Sequence, residues 1–106
     1  MMFPKKTYKK RKPSLAKRGK FSNKTISQIL ERDDYKCVVC LSQADDIHHV
    51  KYKSAGGRGV FTNGMSLCRR CHDHAHSNHE ERKRLEQIMI DKYGNDYFRD
   101  EYDNYE

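Results

Sequence analysis

The chain has 106 residues, 35% of them hydrophobic and none of them Trp, which leaves room for one small domain with tails but not for a core held by apolar burial alone. Such a domain needs disulfides or a structural metal, and the four cysteines could supply either. The net charge of +7 is unevenly placed: Met1 to Lys24 holds ten basic residues and no acid, and the remainder has 12 Lys and Arg against 15 Asp and Glu.

In chain order, residues 1–24 read as a basic arm, disordered on its own, that sits on nucleic-acid phosphates by counterion release. A solubilising or localisation tail is the alternative. Thr25 and Gln28 stand at capping-box spacing and predict a helix whose buried side is Ile26, Ile29 and Leu30, ending near Asp33-Asp34. Tyr35 to Cys40 is a zinc knuckle, a tight turn that presents Cys37 and Cys40 together. Residues 46–52 read as a strand, the glycine-rich residues 54–59 as a loop, and residues 60–67 as a second, irregular strand. Cys68 and Cys71 open a helix of about two turns through His76. Ser77 and Glu80 form another capping pair before a helix over about 78–93, with Leu85, Ile88, Met89 and Lys92 on one stripe and Gly94 as its stop. The tail from residue 94 is acidic and Tyr-rich (Tyr97, Tyr102, Tyr105). The domain is therefore expected over residues 25–93.

Two Cys-x-x-Cys pairs in a chain with no secretory leader or long apolar run read as zinc ligands in a reducing cytoplasm. Four thiolates fill a tetrahedral zinc and leave no position for water, so the site is structural. Free or redox-active thiols are the competing reading. The six histidines suggest a second site. His48 and His49 are adjacent on a strand and face opposite ways, whereas His72 and His76 share one helix face, a common way to present two imidazoles to one ion. His74 and His79 read as surface residues.

The run Cys37-Val38-Val39-Cys40, Ile47-His48-His49-Val50, Gly56-Gly57 and Asn63 through His72 resembles the HNH endonuclease family, as does the Arg32-Asp33 lead-in. The resemblance covers about residues 26–76, and the family's name letters fall on His49, Asn63 and His72. It implies a small α+β fold: a ββα-metal, treble-clef-like His-Me finger clamped by a four-cysteine zinc and flanked by an N-terminal and a C-terminal helix. By position, His48, His72 and His76 would ligate a catalytic divalent ion (Mg²⁺, Mn²⁺ or Ni²⁺). His49 would be the general base, and Asn63 would fix the loop and orient His49. The departure is Gly64, where the family usually has Leu.

The implied activity is that of a hydrolase, an endodeoxyribonuclease leaving 5′-phosphate and 3′-hydroxyl ends. An imidazole near its ordinary pKa of about 6.5 can take a proton from water, and a divalent ion can act as Lewis acid. Lys51, Lys53, Arg58, Arg69 and Arg70 are candidate phosphate contacts, with solvated surface as the competing reading. A monomer would nick DNA and a homodimer could break both strands. Small stand-alone members occur in bacteria and phages, some beside DNA-packaging proteins. Two other readings compete: a non-catalytic zinc-knuckle nucleic-acid binder, and an adaptor acting through the acidic C-terminus.

Overall fold

The computed structural model describes residues 13–104; residues 1–12, which hold much of the expected basic arm, and Tyr105 lie outside the described residues. The chain forms α1 (Leu15–Arg18), α2 (Asn23–Arg32), β1 (Asp46–His49), β2 (Gly64–Leu67), α3 (Arg69–Ser77) and α4 (His79–Tyr93), with 3-10 turns at Lys53–Ala55, Phe61–Asn63 and Glu101–Asn104. β1 and β2 pair antiparallel, Asp46 opposite Leu67 and His49 opposite Gly64, and α3 follows β2 directly. This is the small α+β, ββα arrangement expected of a zinc-clamped finger. Among the described residues no helix is long and apolar enough to cross a membrane.

Two helices start at residues other than the expected caps. Ser22, not Thr25, caps α2: its hydroxyl accepts the Thr25 N–H at 3.1 Å. Asn78, not Ser77, caps α4, its side-chain oxygen accepting the Glu81 N–H at 2.8 Å. In both cases the cap is the residue with extended backbone just before the first turn, where a side-chain oxygen satisfies an otherwise free amide.

Both strands are shorter than the sequence pattern implies, and Asn63 is the reason. This fully buried side chain accepts the Lys51 N–H at 2.8 Å and donates to the carbonyls of Lys51 at 3.1 Å and Arg58 at 2.9 Å. One amide thus replaces the pairing that a longer ladder would have made, and residues 51–62 become a pinned loop carrying Tyr52 and Lys53.

Arg32 and Asp33 tie the end of α2 to β2. The guanidinium donates to the carbonyls of Phe61 at 3.1 Å and Gly64 at 2.7 Å, and the Asp33 carboxylate accepts the Ser66 N–H at 3.0 Å. Burial pushes the Asp33 carboxyl up, but Arg32 and the Ser66 amide overcome it and hold the group below its usual range. The departure at Gly64 has a packing cause. A Cβ there would overlap Cδ1 of the buried Ile29 and lie 3.1 Å from Cζ of Phe21, so glycine lets both residues rest directly on β2.

The core joins Cys37, Met65, Leu67, Cys68 and Ala75 to Leu85 and Met89 of α4. α4 stops at Gly94, whose φ of +93° suits glycine, and the chain then turns back. Tyr97 is buried and its phenol donates to Glu86 at 2.9 Å, while its carbonyl accepts from the Thr62 hydroxyl. The Tyr-rich segment up to residue 104 therefore packs on the domain. Arg58 N–H donates to the Phe98 carbonyl at 2.9 Å, which joins this segment to the pinned loop.

The segment before α2 also packs. Residues 13–22, expected to belong to the arm, run over the sheet: Arg18 is ion-paired with Asp100 and Asp103, each at 2.8 Å, and Phe21 is buried.

Candidate active site

The two knuckles bring four thiols together. The Sγ atoms of Cys37, Cys40, Cys68 and Cys71 all lie within 4.8 Å of one another, and Cys40 Sγ is 3.6 Å from Cys68 Sγ. A tetrahedral zinc with bonds of about 2.3 Å holds its sulfurs about 3.8 Å apart, so the cluster fits that ion. Its local chemistry favours thiolates at two corners. The Ser42 hydroxyl, 3.0 Å from Cys40 Sγ, pulls the Cys40 thiol down to about 6. Cys68 is lowered chiefly by the Cys71 N–H, which points at its sulfur from the first turn of α3. Burial, followed by the neighbouring sulfurs, pushes Cys71 up, so loading the cluster must displace that proton.

The second cluster shares α3 with the first. His48 on β1, and His72 and His76 on α3, place ring nitrogens within 4.8 Å of one another. The Nε2 atoms of His72 and His76 are 3.1 Å apart, as the four-residue helical spacing requires. His48 is the telling member. Its side chain is 1% exposed, and neither ring nitrogen has a hydrogen-bond partner. Burial, then the charges of His72 and His76, depresses its pKa to about 3, so it is neutral at physiological pH. Leaving a buried polar group unpaired costs about 1–3 kcal/mol. A cation held by the three imidazoles would remove that penalty, which is why this residue set fits a metal.

Two residues outside the expected set orient these imidazoles. The Asp46 carboxylate accepts from His72 Nδ1 at 3.1 Å, which leaves Nε2 as the lone-pair nitrogen facing the cluster. The Tyr52 hydroxyl lies 3.1 Å from His76 Nδ1, and the two rings stack with centroids 5.2 Å apart. Asp46 had a readable signal, because residues i and i+2 of a strand share a face and Asp46 precedes His48 by two. Tyr52 lies beyond the end of β1, where the strand rule no longer applies.

His49 lines the same cavity of about 430 Å³ as His48, His72, His76, Tyr52 and Lys53. Its Nε2 is 2.6 Å from the Gly19 carbonyl. A carbonyl only accepts, so Nε2 carries the proton and Nδ1 carries the lone pair. Phe21 stacks on the ring with centroids 4.1 Å apart. Burial lowers the His49 pKa and the Gly19 bond partly opposes it. Asn63 makes no hydrogen bond to His49; its contacts all go to the loop backbone. Asn63 thus bonds the loop backbone, and the hydrogen-bond partner of the His49 ring is the Gly19 carbonyl.

The candidate phosphate contacts divide. Arg58 donates twice to Asp103, at 2.9 and 3.1 Å, and Lys51 is 3.3 Å from Glu86 and lies over the Phe98 ring, so both are engaged inside the protein. Lys53 is exposed and lines the cavity; Arg70 is exposed on α3. Arg69 is exposed beside Asp46, at 3.4 Å. His74 and His79 are exposed, as expected.

The HNH endonuclease family model matches residues 37–78, a segment that runs from the first cysteine to the N-cap of α4 and includes every member of both clusters. No curated protein matches the chain.

Proposed function

Residues 37–78 match the HNH endonucleases, and from that premise we propose that the chain is a divalent-metal-dependent DNA endonuclease with His49 as its general base. The observation that carries this reading is the convergence of three imidazoles, one buried and unpartnered, on the cavity that a fourth histidine also lines.

His49 enters the reaction as a neutral imidazole with its proton on Nε2, fixed by Gly19, and its lone pair on Nδ1. Nδ1 takes a proton from the attacking water, and the imidazolium that forms keeps the Gly19 carbonyl as a partner that favours the charged form. His48, His72 and His76 would hold a divalent cation, which when bound supplies Lewis-acid charge to the phosphate and to the departing O3′. Asp46 keeps His72 in the tautomer a ligand needs, and Tyr52 braces His76. Lys53 at the rim offers an ammonium to a phosphate. The cysteine cluster would hold zinc and take no part in the chemistry, since four thiolates leave no open position.

The test is a supercoiled-plasmid assay with Mg²⁺, Mn²⁺ and Ni²⁺ in turn. The wild type should nick with at least one ion, and His49→Ala should lose activity by a factor of about a hundred or more with its zinc content unchanged. An intact plasmid with every ion would refute the reading. Retained DNA binding in that case would favour the zinc-knuckle binder.

A further inference from the structure

The match to the family ends where the support for His49 begins. Both groups that hold its ring, the Gly19 carbonyl and the Phe21 side chain, lie some 30 residues upstream of it and outside residues 37–78. The strap that carries them, residues 14–22, has only the four-residue α1 as regular structure of its own, so tertiary contacts must hold it in place. Arg18 makes one of them. Its side chain is 5% exposed, and its guanidinium is shared between Asp100 at 2.8 Å and Asp103 at 2.8 Å, on the segment that follows α4. Asp103 also takes two bonds from Arg58, so strap, loop and C-terminal segment meet at one carboxylate.

The backbone confirms the closeness of this contact. Gly59 N–H donates to the Arg18 carbonyl at 2.7 Å. A Cβ on Gly59 would overlap the Lys20 carbonyl and come within 2.8 Å of Phe21 N, so only glycine lets the loop lie flat on the strap at this point. Gly64 does the same beneath Phe21, whose ring would be 3.1 Å from a Cβ there. Two glycines, the ion-paired Arg18 side chain and a stacked ring thus surround the contact between one carbonyl and one imidazole nitrogen.

We propose that the strap, clamped by Asp100 and Asp103, is the positioning device for the general base, with Arg18 and Phe21 as positioning residues, so that the family segment alone is an incomplete catalytic unit. This rests on the nuclease reading, because it assigns the strap a role in that reaction. A general base misplaced by an ångström loses one to two powers of ten in rate without loss of substrate affinity. Arg18 and Phe21 act on the same ring, so their effects should not multiply.

The experiment uses the full-length, zinc-loaded chain. Long-range ¹H–¹⁵N correlation of histidine-labelled protein reads the His49 tautomer, and plasmid nicking at varied DNA concentration separates kcat from KM. The wild type should show the Nε2–H form. Arg18→Ala and Phe21→Ala should each lose that single tautomer and ten- to a hundredfold in kcat, with KM within about twofold and zinc content unchanged. The double variant should be no slower than about twofold below the worse single one. An Nδ1–H tautomer in the wild type overturns the proposal and needs no variant to fold. Wild-type kcat in either variant, multiplicative losses, or a loss confined to KM also overturn it. A wild type that shows the Nε2–H form but nicks nothing overturns the nuclease reading itself, which is thereby told apart from failure of the strap.

Discussion

Gly64→Ala isolates a steric effect, because the backbone there is extended (φ −108°, ψ 143°) and accepts any residue. In a strand interior, alanine in place of glycine would by itself stabilise by about 0.5–1 kcal/mol. The new Cβ would, however, overlap Cδ1 of Ile29, which is 0% exposed, and stand 3.1 and 3.2 Å from two atoms of the Phe21 ring. Overpacking of this kind costs about 1–3 kcal/mol. The net loss should be about 0.5–2 kcal/mol, at about 4–8 °C of Tm per kcal/mol for a domain of this size. Ile29→Val deletes the offending methyl at a cost of about 0.5–1.5 kcal/mol. In that background Gly64→Ala should be close to neutral, a coupling of about 0.5–2 kcal/mol between the two sites. Urea denaturation of the four zinc-saturated proteins measures it. If Gly64→Ala costs the same in both backgrounds, the packing account of this glycine is wrong.

Asn63→Asp keeps an acceptor for the Lys51 N–H but turns an oxygen toward the carbonyls of Lys51 and Arg58, where an N–H₂ now donates. Two lost bonds and a buried carboxylate should cost about 3 kcal/mol or more, read as a lower urea midpoint and faster amide exchange across residues 50–63. The pH dependence of nicking has a defined sign. Only neutral His49 can take a proton, and burial holds its pKa below the ordinary 6.5. At saturating metal and DNA, kcat should therefore be level near neutrality and fall as pH drops below that value. A limb centred above pH 7 would contradict this assignment.

The order of elements and both clusters were legible because each is written in local spacing. A Cys-x-x-Cys turn presents two sulfurs, and His72 and His76 share a helix face whatever surrounds them. Asn63 was legible as a loop anchor from the family resemblance, but its hydrogen bonds were not. They depend on how the backbone of Lys51 and Arg58 folds around it, and they shortened both strands. Thr25 and Ser77 were read as caps because a hydroxyl stood three residues before Gln28 and Glu80. Ser22 and Asn78 hold the extended backbone that capping needs. The strap was least legible of all. Composition made residues 13–22 look like the continuation of a basic arm, and no periodicity marks a contact between Gly19 and His49. Arg18 is one of ten basic residues between Met1 and Lys24, and only its position opposite Asp100 and Asp103 separates it from the rest.

Cys68 belongs to two structures at once. Its sulfur is part of the cysteine cluster and also caps α3 by accepting the Cys71 N–H, and the turn it starts carries His72 and then His76. The two clusters therefore share one helical frame. If an ion on the thiols were to change the grip of the two imidazoles on a second ion, reciprocity requires the second to change the first by the same factor. Metal affinity at the thiols, measured with and without a second ion, would in that case report on the order of the histidine cluster.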